Sequence, residues 1–387
     1  MTTRERDSSK PGEQRVLLIG PQAPPYGGVA LQAQSLRELM TQEGTAITFL
    51  AANLPFPGPL RFLEKLRGAR PFLRSILFCG RLWKTLPRVD VVHILACSWL
   101  YFFLVVGPAV ILSRMRGKRV VLNYRGGEAK RFFRWWGWIA RPVFQLANVV
   151  TVPSNFLAEV IRNCFGVPVV IVPNILDLSL FKYRARTALR PKMLVTRHLE
   201  KLYDIESVLK AFRTVQSHYP EASLWIAGTG SQEQHLRSLV AEWNLRNVRF
   251  GGHVDHRGLA EIYDQCDILL NASRADNFPG ALLEASAAGL AVVSTNPGGI
   301  PYIYENEKSA LLVEPGDSVG LAVAVEKLLR EPSLARDLTT RAATLAGECD
   351  WKKVRRQLYE AYGFFVEEIH EELAGALQAA HLGSREF

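Results

Sequence analysis

The chain predicts an α/β protein built from two parallel-sheet halves, and three observations carry that expectation. Short apolar runs alternate with amphipathic helical patterns almost throughout, the pattern of parallel sheets covered by helices on both faces. The alternation pauses in a polar, basic stretch, Leu178–Lys192, and restarts at Met193. A length of 387 residues suits two domains better than one or three.

In chain order, Arg15–Gly20 reads as a buried strand, followed by a Gly-rich turn and a helix over Leu31–Met40. Further strands are expected at Ala46–Ala51, Val89–Leu95, Arg119–Asn123, Val149–Val152 and Val169–Val172, with Ser154 capping the helix after the fifth of the six. The second half offers strands at Met193–Thr196, Leu224–Ala227, Val248–Gly251, Ile268–Asn271, Ala291–Ser294 and Ala310–Val313. Helices such as Ile205–Ser217 and Gln232–Trp243 separate them. Past about residue 345 the pattern is helical, with aromatics over Trp351–Ile369. The expected organisation is a polar leader over 1–14, a first domain over 15–182, a second over 190–345 and C-terminal helices over 346–387. No tandem repeat is visible.

Composition narrows the function classes. A net charge of +10 favours anionic partners. Five scattered cysteines without a C-x-x-C pair argue for a reduced compartment and against a zinc site. The N-terminus lacks the apolar core of a secretion signal. The apolar run Ser98–Leu112 is interrupted by Gly107-Pro108 and is shorter than the roughly 20 residues a spanning helix needs. It reads as a buried helix or one resting on a membrane surface.

The stretch Ser273–Gly299 is the richest in chemistry. Asp276 and Glu284 lie eight residues apart across a loop-to-helix junction. Pro279 suits the first turn of that helix, and Gly298-Gly299 follows after one more strand. Acids so placed either serve the helix dipole or face a ligand at the carboxyl end of a parallel sheet. Upstream, Val195–Lys201 ends a strand in basic residues, Arg197 and Lys201, which are either solvated charges or partners for a diphosphate. The first turn, Pro24–Val29, carries Gly27-Gly28. It is not G-x-G-x-x-G, so it is either structural or a phosphate cradle. Gly228-Thr229-Gly230 reads as a sharp turn. His93 and Arg125 are expected at strand ends, where they either pack or face a ligand.

Basic residues also cluster with aromatics. Arg61–Arg88 holds eight Arg and Lys against one acid, Glu64, and Lys130–Arg141 interleaves its cations with Phe and Trp. Two readings stand: a solvated helix face with its aromatics in the core, or a surface for a membrane or an anionic lipid-linked acceptor. No nucleic-acid-binding signature accompanies them.

The Ser273–Gly299 segment resembles the E-x7-E element of retaining family 4 glycosyltransferases, and Leu282-Leu283-Glu284-Ala285 matches its second half. Asp276 stands where that family usually has its first Glu. Arg197 and Lys201 resemble the family's Arg…Lys pair, with Lys201 one position early and Leu202 in the usual place. Gly298-Gly299-Ile300-Pro301 is similar to the downstream G-G-x-P loop, and Asn174 and Asp177 resemble a P-N-x-x-D-x-x-x-F hinge element. The resemblance covers about residues 15–345. It implies a GT-B fold, two Rossmann-like domains facing across a cleft, with a C-terminal helix crossing back to the first.

By that resemblance, a UDP- or GDP-sugar binds mainly to the second domain. Glu284 accepts hydrogen bonds from the ribose, and Asp276 holds sugar hydroxyls near the reacting carbon. Arg197 and Lys201 meet the diphosphate. Asn277, Phe278, Gly280, Gly298, Gly299 and the Gly27-Gly28 loop complete the donor site, while His93 and Arg125 stand on the acceptor side. No D-x-D motif appears, in agreement with a family that usually needs no metal, and the resemblance implies no required cofactor. Transfer with retention would serve polysaccharide or glycolipid synthesis at the cytoplasmic face of a plasma membrane. Two alternatives belong to other classes. One is a GT-B-like nucleotide-sugar epimerase. The other is a non-catalytic sugar-nucleotide-binding membrane adaptor, suggested by the altered first acid and the displaced lysine.

Overall fold

The computed structural model describes residues 14–23, 27–65 and 68–364. Most of the polar leader, Pro24-Pro25-Tyr26, Leu66-Arg67 and the chain after Phe364 lie outside the described residues. The chain forms two compact units. The first takes residues up to Val152, Val160–Val172 and the chain from Lys352, and the second takes Pro153–Glu159 and Pro173–Trp351.

The first unit runs β1 (Val16–Gly20), α1 (Gly28–Gln42), β2 (Ile47–Ala51), α2 (Arg70–Thr85), β3 (Val91–Ala96), α3 (Gly107–Met115), β4 (Arg119–Tyr124), α4 (Ala129–Leu146), β5 (Val149–Val152), α5 (Asn155–Phe165) and β6 (Val169–Ile171). A single π-helical stretch, Phe102–Val106, leads into α3. The strands make one sheet in the order β2-β1-β3-β4-β5-β6, every pair parallel. Val16–Ile19 are completely buried, as a strand covered on both faces requires. The order reverses between β1 and β3. Right-handed crossovers therefore place α1 on one face and α2 to α5 on the other. Beneath α3 and α4 lies an aromatic core in which Phe102, Phe133, Phe144 and Phe165 meet at ring separations from 4.5 Å.

The second unit runs β7 (Lys192–Thr196), α6 (Ile205–His218), β8 (Ser223–Ala227), α7 (Glu233–Glu242), β9 (Val248–Gly252), α8 (His256–Gln265), β10 (Ile268–Asn271), α9 (Gly280–Ala287), β11 (Ala291–Thr295), β12 (Leu311–Val313), α10 (Ser318–Arg330) and α11 (Pro332–Gly347). Its parallel sheet has the order β12-β11-β10-β7-β8-β9. Alternate strand residues feed two cores: Met193, Val195 and Leu270 enter one, and Leu194, Leu269 and Val292 the other. The chain proceeds from β7 to one edge and from β10 to the other, so the switch point lies between these two neighbours.

Two expectations need correction. The basic stretch Leu178–Lys192, where the alternation pauses, lies wholly within the second unit rather than between the two. Arg184, Arg186 and Arg190 all bind the fully buried carboxylate of Asp267, at 2.9, 3.0 and 2.8 Å. Pro279 does not enter the first turn of α9 but occupies its cap, with ψ 87° outside the helical region. The last helix among the described residues, α12 (Trp351–Tyr362), belongs to the first unit from Lys352 onward. There Tyr359 meets Thr45 at 2.9 Å and Arg355 pairs with Glu43 at 2.9 Å.

Candidate active site

Both acids and Arg197 gather at the switch point of the second sheet. Arg197 follows β7 directly. Its Nε donates to Asn271 Oδ1 at 3.0 Å and its Nη2 to Asp276 Oδ2 at 2.9 Å. Both side chains of this ion pair are about one-eighth exposed, 12% and 13%, so water screens it far less than a surface pair. Asn271 ends β10 and is itself fixed, donating to Ser294 at 2.9 Å and accepting from Ser273 at 2.7 Å. Asp276 also accepts from the Phe278 amide at 3.2 Å. The guanidinium lies 5.4 Å from the Tyr203 ring centroid.

Glu284, one and a half turns into α9, is reached through Tyr263. The phenol donates to Glu284 Oε2 at 3.1 Å and lies 3.2 Å from Thr196 Oγ1. Burial and the nearby Glu284 charge hold this phenol well above its ordinary pKa, so it remains a donor. Thr196 and Arg197 are consecutive, and the end of β7 thereby joins the two carboxylate arms. Tyr263 escapes sequence reading because a tyrosine on the inner face of an amphipathic helix reads as core.

The glycine loops explain how the arms are held. Gly298 has a left-handed φ of +62°, and a Cβ there would lie 2.2 Å from Asp276 O. A Cβ at Gly299 would lie 2.0 Å from Asn277 O, and the Gly299 amide donates to Asp276 O at 2.8 Å. Gly228 and Gly230, read as a sharp turn, press against the backbone of the Arg197–Leu199 loop, with Cβ positions 1.9 Å from Arg197 O and 2.4 Å from Leu199 O. Gly299→Ala is therefore expected to push the Asp276 loop out of place and lower kcat/KM about 10²-fold, the scale of a 1 Å displacement at a reacting centre. Gly347→Ala, which meets nothing within 4 Å, is the steady-state control. Equal activity in the two variants would refute the account.

The other candidates are spread more widely. Lys201 is exposed on the short 3-10 turn Lys201–Tyr203. With Glu200, Asp204, His235 and Arg274 it lines a cavity of about 580 Å3. Leu202 is 47% exposed, and its carbonyl accepts from the Arg274 amide at 2.8 Å. Arg274 in turn pairs with Asp204 at 2.7 Å, a cation that the motif comparison passes over. Asn277 is buried, Phe278 and Gly280 are half-buried, and Gly280 starts α9.

In the first unit Gly27 is extended at the cap of α1, and a Cβ at Gly27 or Gly28 meets nothing within 4 Å. Packing alone does not account for glycine there. Arg125 follows β4 and donates to Asn123 at 2.8 Å. His93 is not at a strand end but third in β3, because the apolar run continues to Ala96. It is fully buried, its Nδ1 lies 2.6 Å from the Tyr362 hydroxyl, and burial with the Arg125 charge depresses its pKa to about 3. His93 Nε2, Asn123 Nδ2 and Thr151 Oγ1 are buried without a protein hydrogen-bond partner. Strand register and two-residue alternation set all three on one face.

Residues 26–180 match the family model described as Glycosyltransferase Family 4, and residues 182–344 match Glycosyl transferases group 1. The chain is a family 4-like glycosyltransferase. A glycogen synthase of Mycobacterium tuberculosis is 28% identical over 71% of this chain and 69% of its own. A phosphatidyl-myo-inositol mannosyltransferase of Mycobacterium leprae is 28% identical over 52% of this chain and 54% of its own. Among solved structures, a sucrose-phosphate synthase from Thermosynechococcus elongatus superposes with a TM-score of 0.72 at 19% identity, covering 94% of this chain and all of that one. HepE of Anabaena in complex with UDP and glucose gives 0.70 at 14% identity, covering 91% and 100%. These structures establish the GT-B fold for this glycosyltransferase, and the named relatives stand against the epimerase and adaptor alternatives. No helix among the described residues is long and apolar enough to cross a membrane.

Proposed function

We propose that this glycosyltransferase moves a sugar from a UDP- or GDP-sugar to a lipid-linked or polysaccharide acceptor with retention of configuration. It would work in the cytoplasm, peripherally attached to the inner face of the plasma membrane. The observation that carries the reading is the Arg197–Asp276 pair at the β7/β10 switch point, one residue from the Thr196–Tyr263–Glu284 chain. Charge accumulates on the diphosphate as the glycosidic bond breaks, so a braced guanidinium stabilises the transition state more than the ground state. Asp276 holds sugar hydroxyls, Glu284 takes the ribose hydroxyls, and Lys201 supplies a second, exposed cation. Asn277, Phe278, Gly280, Gly298 and Gly299 shape the donor site. Arg125, at the end of β4, receives the acceptor, braced at 2.8 Å by Asn123 of the buried polar row that His93 opens. The departing diphosphate assists deprotonation of the acceptor on the same face of the sugar. UDP is favoured, since the Anabaena neighbour was solved with it.

Thermal stabilisation across a panel of nucleotide sugars tests the donor. A true donor at a hundredfold excess over Kd adds about 2.7 kcal/mol, several degrees in Tm. NMR of the product from that donor then reads the anomeric configuration. No stabilisation by any nucleotide sugar refutes the donor site, and an inverted product refutes retention.

A further inference from the structure

We infer that the outer surface of α2, α3 and α4 is a docking face for an anionic lipid bilayer, with Trp135 and Trp138 as its inserted side chains. This extends the lipid-linked-acceptor reading above by assigning the membrane contact to named residues. The three helices are neighbours on one side of the first sheet. Their shared aromatic core uses Phe132, Phe133 and Phe144 from α4, all buried. The same helix turns its tryptophans outward: Trp135 is 67% exposed and Trp138 75%. Alongside, Ile76 of α2 is 67% exposed and Met115 of α3 68%, and Ile111 and Trp83 are also exposed. A helix whose aromatics merely completed the core would not leave two widely exposed positions to tryptophan.

Charge names the occupant. Between Arg70 and Leu146 stand fourteen Arg and Lys against two acids, Asp90 and Glu128. That excess is larger than the net +10 of the whole chain. Of the acids, Glu128 is paired with Arg131 at 3.1 Å and Asp90 with Arg15 at 3.3 Å. On α4 the outward stripe reads Arg131, Arg134, Trp135, Trp138 and Arg141, all exposed. Arg116 stacks on Trp83 at 3.6 Å, carrying the same pairing of cation and indole to the edge between α2 and α3. Tryptophan places an apolar body at the acyl boundary and its N–H among headgroups. Arginines beside it answer anionic lipid, each adding to attachment until salt screens it. Exposed Ile and Met beside the cations favour a bilayer over a nucleic acid, which offers no apolar phase.

The test is co-sedimentation of the full chain with phosphatidylcholine vesicles, with and without phosphatidylglycerol, at low and high salt. Tryptophan quenching by bromine-labelled acyl chains is read in parallel. Expected are binding that requires the anionic lipid and weakens with salt, quenching from the bilayer interior, and at least about tenfold weaker binding for Trp135→Ser with Trp138→Ser or for Arg134→Glu. These exposed changes should leave stabilisation by the nucleotide sugar intact. The inference is overturned if vesicles do not bind or if the double tryptophan variant binds as well as the parent. It is also overturned if a soluble polyanion competes while no acyl-chain quenching is seen, or if the face is instead occupied by a second copy that the tryptophan changes dissociate. Vesicle binding without any nucleotide-sugar stabilisation supports the docking face and refutes the donor reading alone.

Discussion

Replacing Arg197 by alanine is expected to lower kcat about 10²–10³-fold, the loss typical of deleting one group that stabilises a developing anion. The effect should fall on kcat more than on KM, because the diphosphate gains its additional negative charge only as the bond breaks. Arg197→Lys tests the geometry. Lysine keeps the charge, but one ammonium does not reproduce a planar fork that holds Asn271 through Nε and Asp276 through Nη2. It is expected to recover only part of the loss. Asp276→Asn probes the other half of the pair. If the two residues act as a unit, the double variant with Arg197→Ala will be little worse than Arg197→Ala alone. Steady-state kinetics with each variant's melting curve settles the matter. Full activity in Arg197→Ala would remove this residue from the chemistry.

The strands were legible and their order was not. A parallel strand buried on both faces is a nearly continuous apolar run, so Arg15–Gly20 or Ile268–Asn271 is visible without any partner. What places β10 beside β7 is pairing between residues more than seventy positions apart, and no local pattern records it. The same distance hides the Arg197–Asp276 contact, although each residue was marked by its motif. Tyr263 was silent for another reason: its ring packs like any core aromatic while its hydroxyl serves Glu284. In α4, composition permitted either a core or a surface role for the aromatics. Helical phase resolved it by sending Phe132 and Phe133 inward and Trp135 and Trp138 outward. His93 was misplaced because a single polar residue in an apolar run resembles a strand end, whereas it sits in mid-strand with its Nδ1 against the Tyr362 hydroxyl.

The Asp267 cluster carries the largest expected effect on stability. Asp267 immediately precedes β10 with a side chain of 0% exposure, and Arg186 against it is 1% exposed. Arg186 also donates to the carbonyls of Ala288, Tyr263 and Cys266. The cluster therefore ties the incoming chain to α8, which carries Tyr263, and to the end of α9, which carries Glu284. Asp267→Asn leaves three guanidinium groups facing a neutral amide, and breaking a buried pair in this way costs about 3–5 kcal/mol. Burial alone would raise the Asp267 pKa, but hydrogen bonds from Arg190, Arg186 and Arg184 outweigh it and hold the group well below the usual carboxylate range. A depressed pKa stabilises the fold above the unfolded value, about 3.9, and that stabilisation is lost as pH falls through the folded value. The parent protein should thus lose stability steeply below about pH 4. In Asp267→Asn the loss is already present at neutral pH and the acid slope is shallower. Calorimetric melts across pH 3–8 check both statements, and a variant melting with the parent at pH 7 would show that the cluster does not hold the second unit together.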